Sequence, residues 1–381
     1  MIQKMIIGGF KTLREPTEIP LEPITVLIGA NNSGKSNVLA AIQLLGRISR
    51  ADERMTIVRT AEDAPAWAPR TSPLTSLSLT VSGSLEGVTF RYSMTAPTAE
   101  RWSGSESLQV GPPDQLTIEL DREGNATFGR DTIGKYSVGS LLAVLSAHPH
   151  APRPARLLQS LLRNIHCYDL APAALRQPVQ VSRTATLRND GLGLAAVLDL
   201  LDSEAPSIRE AIDAEVRAAA PEVRRIVTPT TEPGLKVVGV AERSGNVYSG
   251  PDVSDGLLLL IAISTIAYQS EGHALIGLEE IEKGIHPRRL RSILDLLTRL
   301  TAKGTQFVLT THSPILLNEF RDFPERVLLC ERDGEDTRVK RLSDVPDYEA
   351  AVNGTALGDI WYSGVLGGVP PGLSDEPAAS R

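Results

Sequence analysis

The chain has 381 residues, 41% of them hydrophobic and 22% charged, and a formal net charge of −7. This allows one large or two moderate domains with an ample core, and the acidic balance excludes bulk electrostatic binding of nucleic acid while leaving a local basic patch open. Two cysteines, Cys167 and Cys330, with no C-x-x-C pair, exclude a disulfide framework and point to a reducing compartment.

In chain order, the short apolar N-terminal run Met5 to Phe10 is too short for a secretory signal. Ile24-Thr-Val-Leu-Ile28 is a continuous β-branched run, the pattern of a buried strand. A glycine-rich turn and a helical pattern (Val38, Ile42, Leu45) follow. Beyond residue 50 the composition shifts to Ser, Thr, Pro and Gly, with strand-like alternation over Leu74 to Val81, Val88 to Thr95 and Leu116 to Leu120. Ala147 to Pro154 is proline-rich and reads as a linker or surface loop. Leu157 to Arg163, Leu194 to Leu201 and Ile208 to Ala220 carry helical apolar stripes, and residues 235–248 form a hairpin around Arg243-Ser-Gly-Asn246. From Ser254 the order is helix, strand (Ala274 to Leu278), amphipathic helix (Arg288 to Leu300), strand (Gln306 to Thr310), which suits a parallel sheet covered by helices. The longest apolar stretch, Gly256 to Ala267, falls short of the roughly 20 residues of a membrane span, so a cytoplasmic protein without a membrane partner is expected. The tail after about Gly368 is expected to fray.

Four local patterns carry chemistry. Gly29-Ala-Asn31-Asn32-Ser33-Gly34-Lys35-Ser36-Asn37 fits G-x-x-x-x-G-K-[ST] and stands between a strand and a helix. Phosphates need inward backbone N–H groups free of Cβ obstruction, a helix N-terminus and a lysine, so a nucleoside triphosphate is expected here, with Ser36 on Mg²⁺. Leu278 runs into Glu279-Glu280-Ile-Glu282; in such enzymes the first acid holds the metal and the second polarises the attacking water. Glu279 is thus assigned to metal and Glu280 to catalysis, while Glu282 either supports them or is merely solvated. His312, past the strand Gln306 to Thr310, is placed to sense a γ-phosphate or water; a plain loop histidine before a Ser313 cap is the alternative. Val253-Ser254-Asp255-Gly256 opens an apolar helix, and is either simple capping or an anion site for the nucleotide of a second subunit. The cations Lys283, Arg288, Arg289, Arg291, Arg299 and Lys303 either touch nucleic-acid phosphates or form a solvated face. The histidines show no zinc pattern, and no G-x-S-x-G elbow occurs.

Together, in this order, the motifs resemble the ABC-type ATPases of the RecF, SMC and OLD kind. Ile7-Gly-Gly-Phe10-Lys11-Thr-Leu with the glycine loop looks like their first strands and Walker A, Val253 to Leu257 like the signature motif, Glu279 to Pro287 like Walker B plus D-loop, and Leu309-Thr-Thr-His312-Ser-Pro314 like the switch-histidine loop. Arg188-Asn-Asp-Gly-Leu-Gly-Leu194 and Leu357-Gly-Asp-Ile-Trp-Tyr-Ser-Gly364 are similar to a branch of stand-alone ATPases found in bacterial anti-phage loci. The resemblance implies an α/β fold: a P-loop NTPase, ABC-type head domain with a mixed or parallel sheet, a β-rich lobe and a helical lobe. It implies an ATPase core over 1–50 and 252–345, the β-rich lobe at 51–150, the helical lobe and hairpin at 151–251, and a C-terminal segment at 346–381. It implies ATP and Mg²⁺ as cofactors and an ATP-sandwich homodimer or higher even oligomer, in which Ser254, Asp255 and Gly256 face the ATP held by Lys35 of the other copy. Gln109 is the candidate Q-loop glutamine. The expected role is a nucleotide-driven switch controlling a separate, nuclease-like effector in anti-phage defence or DNA metabolism. The alternatives are an ATP-gated scaffold and a DNA-processing protein with its own nuclease site. The chain lacks long heptads, and the roughly 70 residues after His312 are too few for a Toprim nuclease domain.

Overall fold

A computed structural model describes residues 1–50, 76–97, 104–111, 116–128, 131–135, 141, 153–231, 234–269, 275–346, 348–352 and 354–367. The proline-rich segment up to residue 152, the strand position Ala274 and the tail from 368 lie outside the described residues.

The centre is a six-stranded sheet in the order Ile165–Tyr168, Leu275–Leu278, Gln306–Thr310, Ile24–Ile28, Val327–Asp333, Asp336–Arg341. The first five strands run parallel and the last pairs antiparallel as an edge. Each strand alternates its side chains between two faces. Ile24, Val26, Ile28, Ile276, Leu278, Phe307 and Leu309 enter one core, with the helices Asp255–Gln269 and Pro287–Thr301. Leu27, Leu275, Val308 and Leu328 enter the other, with the helix Lys35–Arg50. The sheet is therefore buried on both faces, which is why its strands read as unbroken apolar runs.

The helix Asp255–Gln269 is buried continuously from Leu257 to Ala267. An all-round apolar helix of this kind belongs inside a domain, and among the described residues no helix is long and apolar enough to cross a membrane. Ser254 supplies the carbonyl that accepts from the Leu257 and Leu258 N–H groups, so this helix begins where its N-cap pattern places it.

The segment boundaries expected from composition are not boundaries in the packing. The N-terminal strands Ile2–Gly8 and Thr17–Pro20 join the strands of residues 76–135 in one eight-stranded antiparallel sheet. That sheet shares a core with the Lys35–Arg50 helix. Gln306 ties this sheet to the parallel one: its side chain accepts from the Ile2 N–H at 2.7 Å and donates to the Ile2 carbonyl at 2.8 Å. The helices Leu194–Glu204 and Pro206–Ala219 and the strand Gly239–Glu242 likewise bury their apolar faces in the core that holds the 255–269 helix, while the paired strand Val247–Ser249 leaves Val247 and Tyr248 exposed. Shared burial decides this, since none of these short segments can cover its apolar face alone. The helix of residues 153–163 starts inside the proline-rich stretch, with Pro154 in its first turn, where a missing N–H costs nothing.

Candidate functional site

The strands 24–28, 306–310 and 275–278 are neighbours, and their C-terminal ends lie at one edge, with Leu278 opposite Leu309 and Leu309 opposite Val26. The strand 306–310 stands between the strand that leads to Lys35 and the one that ends at the paired glutamates. The two strand spacings between them, about 4.8 Å each, are bridged by the first turn of the 35–50 helix. The Ser36 hydroxyl donates to the Glu279 carboxylate.

The glycine loop is a tight backbone cradle. Gly29 (φ +148°), Asn32 (φ +62°) and Gly34 (φ +103°) all adopt left-handed backbone, which glycine takes freely and asparagine tolerates. A Cβ on Gly34 would lie 2.0 Å from Thr337 Oγ1 and one on Gly29 2.2 Å from the Cys330 carbonyl. The buried Lys35 ammonium donates to the Gly29 and Ala30 carbonyls, each at 2.9 Å. Burial lowers its proton affinity, and the charges of Glu280, Glu279 and Glu282 partly restore it. The Ser33 hydroxyl is buried and has no hydrogen-bond partner among the described residues.

Glu280 sits at φ +45°, a strained conformation for glutamate. Its N–H is held by Thr310 Oγ1 at 2.9 Å. His312 Nε2 stands 3.9 Å from Glu280 Oε1, beyond a direct hydrogen bond. Burial lowers the His312 pKa from its ordinary 6.5, the Lys35 charge adds to this, and Glu280 and Glu282 oppose it. Burial and Lys35 thus both favour the neutral imidazole. Glu282 is not a solvated residue: its Oε1 accepts from the His312 N–H at 2.7 Å, so it links the loop after the acidic strand to the histidine loop.

Two contributors, Thr337 and Arg332, had no distinct sequence signal. A cleft of about 540 Å³ is lined by the glycine loop from Asn32 to Asn37, by Lys11 and Thr12 from the N-terminal turn, and by Arg332 from the edge hairpin. Thr12 and Thr337 share a hydrogen bond of 2.7 Å; Asn37 Nδ2 donates to Thr12 at 2.6 Å and Thr337 donates to the Ser33 carbonyl at 3.1 Å. Since a hydroxyl has one proton, the relay runs Asn37 to Thr12 to Thr337 to the Ser33 carbonyl. Thr12 was visible within the Phe10-Lys11-Thr-Leu motif, but nothing marks Thr337 or Arg332 in a single sequence.

Ser254, Asp255 and Gly256 are not brought into this cleft. They line another, of about 650 Å³, with Gly284, His286, Arg288 and Arg289. The Asp255 carboxylate is paired with Arg176. Gln109 stands exposed on the strand Ser105–Val110, between strands 88–97 and 116–120, and is not among the residues that line the glycine-loop cleft. A strand of the antiparallel sheet points alternate residues outward, and Gln109 is one of them. The cationic 283–303 face is largely occupied by protein: Arg289 pairs with Glu222, Arg299 with Glu215, Arg291 with Glu319, and Lys303 lies over Tyr268.

Residues 24–318 match the family model described as "AAA domain, putative AbiEii toxin, Type IV TA system". The chain belongs to this AAA-domain family. The match runs from the P-loop strand to the helix after His312, so it spans the glycine loop, the acidic strand end and the histidine loop, while Lys11, Thr12 and Arg332 of the cleft lie outside it. The fold is similar to the SmcHead solved with the C-winged helix domain of ScpA, at a TM-score of 0.51 and 15% identity over 89% of this chain and 97% of that one. The SMC head domain from Thermotoga maritima also matches (TM-score 0.44, 14% identity, 89% and 98% covered). So does an Smc head domain with an extended coiled coil bound to the C-terminal domain of ScpA derived from Pyrococcus furiosus (0.47, 13%, 92% and 99%). Among curated proteins no sequence matches. The protein thus contains an AAA domain of this family, and its α/β P-loop fold, expected from its motifs, is similar to that of an SMC head.

Proposed function

We propose that the chain binds and hydrolyses ATP and works as a nucleotide-driven dimer switch. The observation that carries this is the convergence, at one sheet edge, of the Ser36–Glu279 contact and the Glu280–His312 pair beside the glycine loop. An alcohol and a carboxylate oxygen in contact are the hard donors that suit Mg²⁺, and the orphaned Ser33 hydroxyl in a backbone cradle suits a triphosphate. Ser36 and Glu279 would hold the metal, which neutralises phosphate charge when bound. Asn31 to Asn37 cradle the phosphates, with Lys35 exchanging its loop carbonyls for phosphate oxygens. Glu280 accepts a proton from the attacking water. Neutral His312, opposite it, keeps a lone pair and a donor to position that water at a spacing too long for direct contact between the two side chains.

Because Ser254 to Gly256 line a separate cleft, their contact with phosphate requires a second copy. A symmetric two-fold interface then places two nucleotides between two chains, and ATP favours the closed pair through its higher affinity for it. The switch acts on a separate effector, and the toxin–antitoxin system in the family's description supports a setting in defence.

The test is ATP turnover and sizing of the parent, Lys35→Ala and Glu280→Gln proteins. Lys35→Ala is expected to lose ATP binding, and Glu280→Gln to bind ATP, dimerise with it and turn over about 100-fold to 10,000-fold more slowly. If both variants hydrolyse ATP like the parent, the assignment fails. A stable ATP-dependent dimer with negligible parent turnover would instead favour an ATP-gated scaffold.

A further inference from the structure

The motif Arg188 to Leu194 has no part in the nucleotide cleft, and its placement explains it. The Asp169 and Ala171 N–H groups donate to the Asn189 and Asp190 carbonyls, each at 2.9 Å. Gly191, at φ +92°, lies so close to the helix Pro172–Leu175 that a Cβ would stand 2.4 Å from Leu175 Cδ2. This loop is thus a keel for residues 169–176. At its end Arg176 reaches the start of the 255–269 helix, where one guanidinium nitrogen donates to the Val253 carbonyl at 2.9 Å and to the Asp255 carboxylate.

An aspartate in the first turn suits the helix itself. It is the wrong charge where a triphosphate must approach, and it is half exposed there. We propose that Arg176 is a positioning residue for the contact between copies: it cancels and holds aside the Asp255 carboxylate, so that the 254–256 turn accepts the phosphates of a second chain. This deepens, and rests on, the proposed trans role of that turn.

The experiment measures ATP-dependent dimerisation by sedimentation in the Glu280→Gln background with ATP and Mg²⁺, for Arg176→Met, Asp255→Asn and the double variant. Arg176→Met leaves a bare carboxylate beside phosphate and is expected to weaken the dimer about tenfold. Asp255→Asn removes the repulsion while leaving the cation, and is expected to tighten the dimer by about threefold. The double variant returns to within about threefold of its background, a rescue that loss of fold in Arg176→Met would not give. If Arg176→Met dimerises normally, or if the double variant is as weak as Arg176→Met, the proposal is overturned while the dimer reading stands. If the Glu280→Gln chain forms no dimer with ATP, both are overturned.

Discussion

Replacing Thr337 by valine tests whether the hairpin behind the P-loop sets the shape of the loop. Thr337 is 2% exposed, and its hydroxyl is the last step of the relay from Asn37 through Thr12 to the Ser33 carbonyl. Valine is nearly isosteric and leaves a carbon beside Gly34, so the close approach there is kept. It removes the acceptor of the Thr12 hydroxyl and the donor of the Ser33 carbonyl. Two neutral groups losing partners in a buried site cost about 1–2 kcal/mol each. The added buried methyl offsets about 0.8 kcal/mol, so the net loss is about 2 kcal/mol. If the strain falls on the loop, ATP binding weakens by up to about thirtyfold. Denaturant unfolding gives the stability change and equilibrium ATP titration gives the affinity. Thr337→Ser keeps the hydroxyl and should retain most of the affinity. If Thr337→Val binds ATP as the parent does, the relay does not shape the loop and the reasoning is refuted.

The His312 imidazole is expected to titrate below its ordinary 6.5, with burial the larger cause and the Lys35 charge the second. Below pH 6.5 the unfolded chain takes up this proton before the folded chain does, so the residue's contribution to stability declines as pH falls through 6.5 towards the folded value. Turnover that needs the neutral imidazole declines over the acid limb as well. An NMR titration checks the direction, Lys35→Met should raise the value, and a His312 titrating above 6.5 would contradict the geometry. Glu282→Ala removes the acceptor of the His312 N–H. A hydrogen bond to a charged acceptor is worth about 1.5–3 kcal/mol, so kcat is expected to fall about tenfold to a hundredfold with much less change in KM for ATP. Unchanged kcat would show that Glu282 does not position the histidine loop.

Motifs made of a run of adjacent residues are legible in the sequence. The glycine loop, the acids after Leu278 and His312 each stand on a strand or helix that periodicity locates, because burial on both faces demands unbroken apolar strands and helix starts demand capping residues. Glu282 was ambiguous because its partner, the His312 N–H, comes from a different strand end. The cationic 283–303 face looked unpaired because its partners Glu215, Glu222 and Glu319 lie on other elements. Gln109 matched only by residue type, and the alternation of its strand turns it outward.

By itself, the amino-acid order determined the family, the phosphate loop and the buried parallel strands, since spacing, φ preference and apolar periodicity act over a few neighbouring residues. Only the tertiary structure decided that the strand 306–310 lies between the P-loop strand and the acidic strand, that the N-terminal hairpin joins the 76–135 sheet, and that Thr337 braces the glycine loop while Arg176 braces the 254–256 turn. These choices rest on which apolar faces cover one another and which distant polar groups find partners when buried, and contacts of that kind leave no periodic mark along the chain.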